Sequence, residues 1–276
     1  MNPEQNRTAA YFRSLHTSRK PLALSNAWDV ASAVITEAAG APAVATTSAG
    51  VAWSLGVPDG DRLDRERAVA VVAGIVNAVK VPVTADIEGG FSTTLEGVGR
   101  TVRDILGAGA VGINMEDGSR EPAEFCARIS AARTAASEAG QDLFINARTD
   151  VFLAGAGTSE QQVAEVLARA DMYVQAGADG IFVPGAADAE TVAALTAGIS
   201  VPVNVMVGSG SLSVAGLGRL GVARVSLGSS IAQAAYAVVK RATEELNSVG
   251  TYSTVADALD YGTVNDLLAT TGKAVR

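Results

Sequence analysis

Histidine is almost missing from this chain. His16 is the single one, in the N-terminal lead-in. That sets aside a serine–histidine–aspartate triad and a multi-histidine metal centre built within one chain. There is one cysteine, Cys126, so no intrachain disulfide can form, which fits a reducing compartment. Of the lysines, Lys20 and Lys80 precede expected strands, and a Schiff-base mechanism finds no well-placed amine. Aromatic residues make up only 5%, so Ala, Val, Leu and Ile must build the core. Positive charge is short as well. The formal net charge of -8 argues against nucleic acid or an anionic membrane as the main partner. An anionic substrate stays open, because a bound metal can dominate the local field. The first residues carry no apolar signal core, and charges or turn residues interrupt every long apolar stretch. The expected location is the cytoplasm, with no membrane partner. Carboxylates, arginines and hydroxyls are left to carry the chemistry.

What is there repeats. AGAPAVATT (39–47), AGAVGINME (108–116), AGADGIFVP (176–184) and LGVARVSLG (220–228) share one junction, in which a helical pattern stops at a glycine and a short apolar strand follows. VPVTAD (81–86) and VPVNVM (201–206) open strands on a proline, where a missing N–H costs little. With PLALSN (21–26) and LFINAR (143–148), eight strands are expected. The intervening segments read as helices, among them 29–39, 63–79, 93–106 and 159–176. Thr93 with Glu96, and Thr158 with Gln161, are capping-box candidates. Strict alternation implies parallel strands with helical crossovers. Over 276 residues, eight such units fit a (β/α)8 TIM-type barrel occupying the whole chain. Residues 1–20 form a lead-in, a long helix is expected near 229–247, and 248–276 form a C-terminal helical tail. That tail either packs on a neighbouring subunit or caps its own barrel.

A barrel keeps its chemistry at the carboxyl ends of its strands. There the sequence places Asp86 and Glu88 (TADIEGG), two apart and so on the same side of a strand. Glu116, with Asp117 beside it, ends GINMEDG, and Ser48 opens a loop that runs to Asp59. Crowded carboxylates repel unless a cation or proton intervenes, and hard oxygen ligands suit Mg2+, with Mn2+ as the alternative. Arg148, in NARTD, can grip a carboxylate bidentately or pair with Asp150. Asn204 can meet a ligand or hold a barrel hydrogen bond. Cys126 reads as a small packed thiol on a helix that starts near Pro122.

NAWD (26–29), TSAG and SLGVPDG (47–50, 54–60), ADIEGGFS (85–92), GINMEDG (112–118), NARTD (146–150) and VPVNV (201–205) occur in this order. Through them the chain resembles the isocitrate lyase/phosphoenolpyruvate mutase superfamily. The resemblance implies a barrel whose eighth helix is exchanged between subunits, giving homodimers or homotetramers. It implies Mg2+ held directly by Asp86, with Asp59, Glu88 and Glu116 acting largely through waters. It implies a small 2-oxo acid whose carboxylate meets the backbone N–H groups of Ser48, Ala49 and Gly50, with Asp86, Arg148 and Asn204 around it. Asp59, Glu116 and Arg148 are the expected catalytic groups. The K-[KR]-C-G-H loop of the family's lyases is replaced by EDGSREPAEFCARI (116–129), so their catalytic cysteine is missing and Cys126 does not replace it. Pro184 and Gly185 stand where lyases often place an acid. The expected activity is a Mg2+-dependent lyase or decarboxylase that cleaves a C–C bond in a 2-oxo or 2-hydroxy di-acid, such as oxaloacetate or 2-oxoglutarate, through a metal-stabilised enolate. The alternatives are phosphonopyruvate-type P–C chemistry, by hydrolysis or mutase rearrangement, and a non-catalytic barrel that binds 2-oxo acids.

Overall fold

Leu22–Leu24 (β1) and Asn26–Ala27 (β2) are two parts of one extended segment interrupted at Ser25, and that interruption lets a parallel sheet close on itself. β1 pairs with the last strand and β2 with the next one. The computed structural model describes residues 3–17 and 19–270. The remaining strands are β3 (Val44–Thr46), β4 (Val83–Asp86), β5 (Gly112–Glu116), β6 (Phe144–Arg148), β7 (Gly180–Val183), β8 (Val203–Met206) and β9 (Arg224–Ser226). Each is hydrogen-bonded to its sequence neighbour, and every pairing is parallel. The eight-unit expectation holds, with its first strand split in two.

The helices are α1 (Pro3–Ser14), α2 (Val30–Ala38), α3 (Ser48–Ser54), α4 (Arg65–Ala78), α5 (Leu95–Gly107), α6 (Pro122–Glu138), α7 (Val151–Ala154), α8 (Ser159–Ala176), α9 (Ala189–Gly198), α10 (Val214–Arg219), α11 (Ser230–Ser248) and α12 (Tyr261–Ala269). Gly40, Gly109, Gly177 and Gly221, the junction glycines, have φ between 92° and 115°, as a left-handed helix stop requires. Thr158 and Gln161 form the expected reciprocal cap. The other candidate is displaced by one residue. Thr94, not Thr93, caps α5, and it bonds the N–H of Gly97, which has no side chain to answer.

The strand-start end is sealed by α1. Its Phe12 is fully buried against Leu22, Leu24, Val111 and Phe144. His16 stacks on Phe144 with centroids 4.1 Å apart, and its Nδ1 bonds the Phe12 carbonyl. Burial, with Arg224 nearby, pushes His16 down to about 3, so the only histidine stays neutral inside a packed plug. At the other end of the chain, Leu267 and Leu268 of α12 pack against the core beneath α2, so this part of the tail covers its own barrel. Residues 1, 2 and 18 of the expected lead-in and 271–276 of the expected tail lie outside the described residues. Among the described residues, no helix is long and apolar enough to cross a membrane.

Candidate active site

At the carboxyl ends of the strands lies a cavity of about 160 Å3. Its wall includes Ser48, Ala49, Asp59, Asp86 and Arg148, which the sequence places on one loop and two separate strand ends. Asn114, Phe182, Met206 and Ser226 also face it, and sequence reasoning had singled out none of these.

Ser48 starts α3, a helix not expected from the sequence, directly after β3. The Thr47 side chain caps it by accepting from Gly50 N–H at 3.5 Å. Gly50 is required where it stands, because a Cβ there would lie 2.7 Å from Thr47 Cγ2 and 2.9 Å from Trp28 Cβ. Its N–H is thus turned to the cap, and Ser48 and Ala49 alone of this trio reach the cavity wall. Asp86, the last residue of β4, accepts from Ser48 N–H at 3.3 Å and Glu88 N–H at 3.5 Å.

Glu88 corrects a simple alternation argument. The strand ends at Asp86, and Glu88 sits beyond it with φ 50°, so the two side chains are not held to one face by strand geometry. Glu88 is 1% exposed and its carboxylate accepts from Asp61 N–H, while Oε1 has no partner among the described residues. Asp61 also accepts from Gly89 N–H at 3.1 Å and from Arg120 Nη2 at 2.6 Å. The guanidinium of Arg120 lies so close over Gly89 that a Cβ there would be 2.3 Å away. This latch ties the loop bearing Asp59 to the turn after β4. Sequence reasoning missed Asp61 and Arg120; the acid pair in PDGD and the Gly89–Gly90 pair were the available signals.

Arg148 is shared. Its Nε and Nη2 grip Asp150 at 2.6 and 3.1 Å, and Nη1 pairs with Glu116 at 2.6 Å. The ion pair with Asp150, one of two sequence readings, is therefore present, and each terminal nitrogen retains a second N–H. Burial alone would weaken its charge, but Glu116 and Asp150 outweigh that and hold it firmly protonated. Asp117 is fully buried and accepts from Arg169, Tyr173 and the Asp150 backbone, which makes it a brace for this rim.

One arginine cannot neutralise this many acids. Burial pushes Asp86 above the usual carboxylate range, with Asp59 adding to the rise. Burial raises Glu88 to about 7, against the Asp61 N–H bond and with help from Asp59 and Asp86. Glu116 rises to about 8, because burial and three neighbouring carboxylates overcome its close pair with Arg148. An acid with a raised folded pKa binds its proton more tightly folded than unfolded. Its contribution is therefore full below the unfolded value near 4.5 and is lost as pH climbs through 7 to 8. In EDTA, the unfolding temperature should fall by about 5 °C or more between pH 5 and pH 8.5. Saturating Mg2+ should flatten that fall. A flat or rising profile in EDTA, read by differential scanning calorimetry, would contradict this electrostatic picture.

Four of the candidates, Gly50, Glu88, Glu116 and Asn204, lie off the wall. Glu116 reaches the cavity only through Arg148. Asn204 does not reach it: its Nδ2 donates to Ser226 Oγ at 3.2 Å and its Oδ1 accepts from Asn146 at 3.1 Å, so the barrel hydrogen bond is the reading that the structure holds. Cys126 packs against the core from α6, which begins at Pro122 after a loop of only Asp117–Glu121. Among the described residues, no group of three or more His, Cys, Asp or Glu side chains is arranged to hold a metal ion by itself.

A family model described as phosphoenolpyruvate phosphomutase matches residues 12–247. The chain belongs to the isocitrate lyase/PEP mutase superfamily. Within that superfamily, an uncharacterised protein of Mycobacterium tuberculosis (strain ATCC 25618 / H37Rv) is 40% identical over 218 residues, 79% of this chain and 81% of that one. A solved structure from Burkholderia cenocepacia J2315, provisionally described as a lyase/mutase, is 36% identical with a TM-score of 0.88, covering 96% of this chain and 97% of that one. Oxaloacetate decarboxylase 2 of Pseudomonas fluorescens (strain Pf0-1) is 31% identical over 186 residues, 63% of this chain and 60% of that enzyme. The superfamily includes lyases, mutases and a phosphonopyruvate hydrolase, and the chain is an enzyme of the lyase type.

Proposed function

We propose that this chain is a Mg2+-dependent lyase or decarboxylase that breaks a C–C bond in a small 2-oxo or 2-hydroxy di-acid. The observation that carries the reading is the meeting of Asp86, Asp59, the Ser48–Ala49 backbone and Arg148 on one small cavity. The residues fit a hydrated hard cation better than a dehydrated one. Asp86 alone is well placed for direct contact, and the unpartnered Glu88 Oε1 and the elevated carboxyls suit water-mediated neighbours. Asp59, Glu88 and Glu116 would hold those waters. Bound there, Mg2+ would polarise the oxygens of a 2-oxo acid. The N–H of Ala49 would orient the substrate carboxylate, and the N–H of Ser48, which meets Asp86 at 3.3 Å, would hold the carboxylate of Asp86 beside it. The two uncommitted N–H groups of Arg148 would stabilise negative charge that develops beside the breaking bond. Glu116, pushed up to about 8 by burial, would return a proton by way of one of those waters rather than by contact with the substrate.

The test is turnover of oxaloacetate, 2-oxoglutarate, 2-hydroxy di-acids and phosphonopyruvate with Mg2+ and with EDTA. Mg2+-dependent release of CO2 or a carbonyl product supports the reading. Phosphate release from phosphonopyruvate would transfer it to P–C chemistry, and tight binding without turnover would leave a binding barrel.

The reading includes self-association. α11 buries only Ala232, and Val239, Leu246 and Val249 are 63, 60 and 74% exposed. An apolar stripe this open belongs against a second copy, and a groove of about 460 Å3 lined by Trp28, Ile35 and Ile231 lies at the helix's start. Light scattering should give at least twice the 27.9 kDa chain mass, and Val239→Glu should halve it. A monomeric wild type would defeat this part. The lone cysteine and small-acid chemistry suit a cytoplasmic setting.

A further inference from the structure

Three asparagines occupy the barrel interior, Asn114 and Asn146 on the adjacent strands β5 and β6 and Asn204 on β8, all at most 5% exposed. Asn114 and Asn146 are direct register partners, as are Asn204 and Arg224. Arg224 is 1% exposed and, among the described residues, forms no direct ion pair. Among those residues its one side-chain hydrogen bond runs from Nη2 to Asn114 Oδ1 at 3.1 Å, and its Nε and Nη1 have no partner. Asp86 acts on it only through its field, and a buried cation with no acid in contact is costly, which makes its position informative.

The arrangement determines which way the Asn114 amide faces. Arginine has donors and no acceptor, so the Asn114 atom that meets Arg224 must be the oxygen. The same Oδ1 accepts from Asn146 Nδ2 at 2.9 Å. Asn146 Nδ2 also donates to Asn204 Oδ1, and Asn204 Nδ2 donates to Ser226 Oγ and the Arg224 carbonyl, so the direction of donation is set along the whole layer. With Oδ1 committed twice, Asn114 Nδ2 is left without a protein partner among the described residues. Asn114 lines the cavity, and its Nδ2 is not one of the sealed, unsatisfied atoms. An N–H2 group pre-oriented at the wall of an acid-rich cavity is a donor for an anionic oxygen.

We infer that Asn114 is a ligand-binding residue of this cavity, its Nδ2 donating to an oxygen of the bound carboxylate, and that Arg224 is a positioning residue acting through the Asn114 carboxamide. The inference rests on the cavity being the 2-oxo-acid site proposed above. The interior cation adds a second role without contact. It lies behind the carboxamide, on the far side from the ligand, so its field strengthens the donor while its bulk stays out of the cavity.

Calorimetric titration with oxalate, a planar dianion that mimics a reacting 2-oxo acid, tests this at saturating Mg2+. Asn114→Ala should weaken oxalate about tenfold, the loss of one hydrogen bond to a charged group. Asn114→Asp keeps the shape, replaces the donor by an anion and should weaken it at least about a hundredfold. The same variant gives Arg224 an ion-pair partner, so its ligand-free unfolding temperature should match or exceed the wild type. Loss of binding with retained stability is the signature that a merely structural asparagine would not produce. Arg224→Met should weaken oxalate about tenfold in the wild type and not further in Asn114→Ala. Equal losses in both backgrounds would overturn the positioning role. Wild-type affinity in Asn114→Ala and Asn114→Asp, with binding abolished by Asp86→Ala, would overturn the inference and leave the proposed site standing. A wild-type protein that binds no oxalate would overturn both.

Discussion

Asp86→Ala is expected to remove Mg2+-dependent turnover by at least about a thousandfold while leaving the fold intact. The size follows from the position of Asp86. It lines the cavity and ends β4, the proposal gives it the direct contact with the cation, and a group that sets charge stabilisation at the reacting atoms is worth at least two to three orders of magnitude. Stability should move the other way. Burial raises Asp86 above the ordinary carboxylate range, so the ionised side chain is a burden to the metal-free protein, and its two backbone hydrogen bonds are long at 3.3 and 3.5 Å. In EDTA the variant should therefore melt at or above the wild-type temperature. The stabilisation that Mg2+ and a 2-oxo acid confer on the wild type by mass action should vanish. Turnover within tenfold of wild type would remove Asp86 from the centre of the proposal. A large drop in stability would mean that its carboxylate is structural instead.

The second large effect belongs to Arg148, and there both properties should suffer. Arg148→Met strands Glu116 and Asp150, each less than a fifth exposed, without their shared cation. Breaking a buried pair from one side typically costs about 3–5 kcal/mol. Glu116 can escape part of that by holding its proton, since it already sits near 8. A fall of about 10 °C in the unfolding temperature is expected for a chain of this size, together with a loss of about a thousandfold in kcat/KM. Arg148→Lys separates the two. A point charge should restore much of the stability, but it lacks the planar fork that spans Asp150 and Glu116 and still presents N–H groups to a ligand. Full turnover in Arg148→Lys would show that charge alone suffices, and an unchanged melting temperature in Arg148→Met would show that the ion pairs carry no weight.

The two residues differ in how they could be read beforehand. Asp86 stands at the end of an apolar run that opens on a proline and is followed by two glycines, so strand, strand end and turn were all written locally. Arg148 was equally visible, yet its two partners come from different directions: Asp150 follows it by two residues, whereas Glu116 arrives from the neighbouring strand through a register of Glu116 against Arg148. Glu88 shows the limit of alternation. The rule of two holds only while the backbone stays extended, and the chain leaves β4 at Asp86 into a turn with φ 50°. Asn204 carries two readings in the sequence, a ligand contact or a barrel hydrogen bond, and its amide is spent inside the barrel. Asn114, one strand from the acid Asp86, was passed over although its register neighbour Asn146 repeats the same residue type.

Sequence alone therefore determined the alternation of strands and helices, the glycine stops between them and the end of the barrel that holds the acids. Those are local matters, set by the period of apolar residues, by caps and by backbone freedom within a few positions. Only the tertiary structure decided which acids share a wall, that Arg148 is divided between two of them, that Asp61 and Arg120 latch the Asp59 loop to the turn after β4, and that Arg224 turns the Asn114 amide toward the cavity. These depend on partners dozens of residues apart in the chain. The direction of a polar side chain beyond a strand's end is set by whichever distant donor or charge reaches it, and no local pattern encodes that.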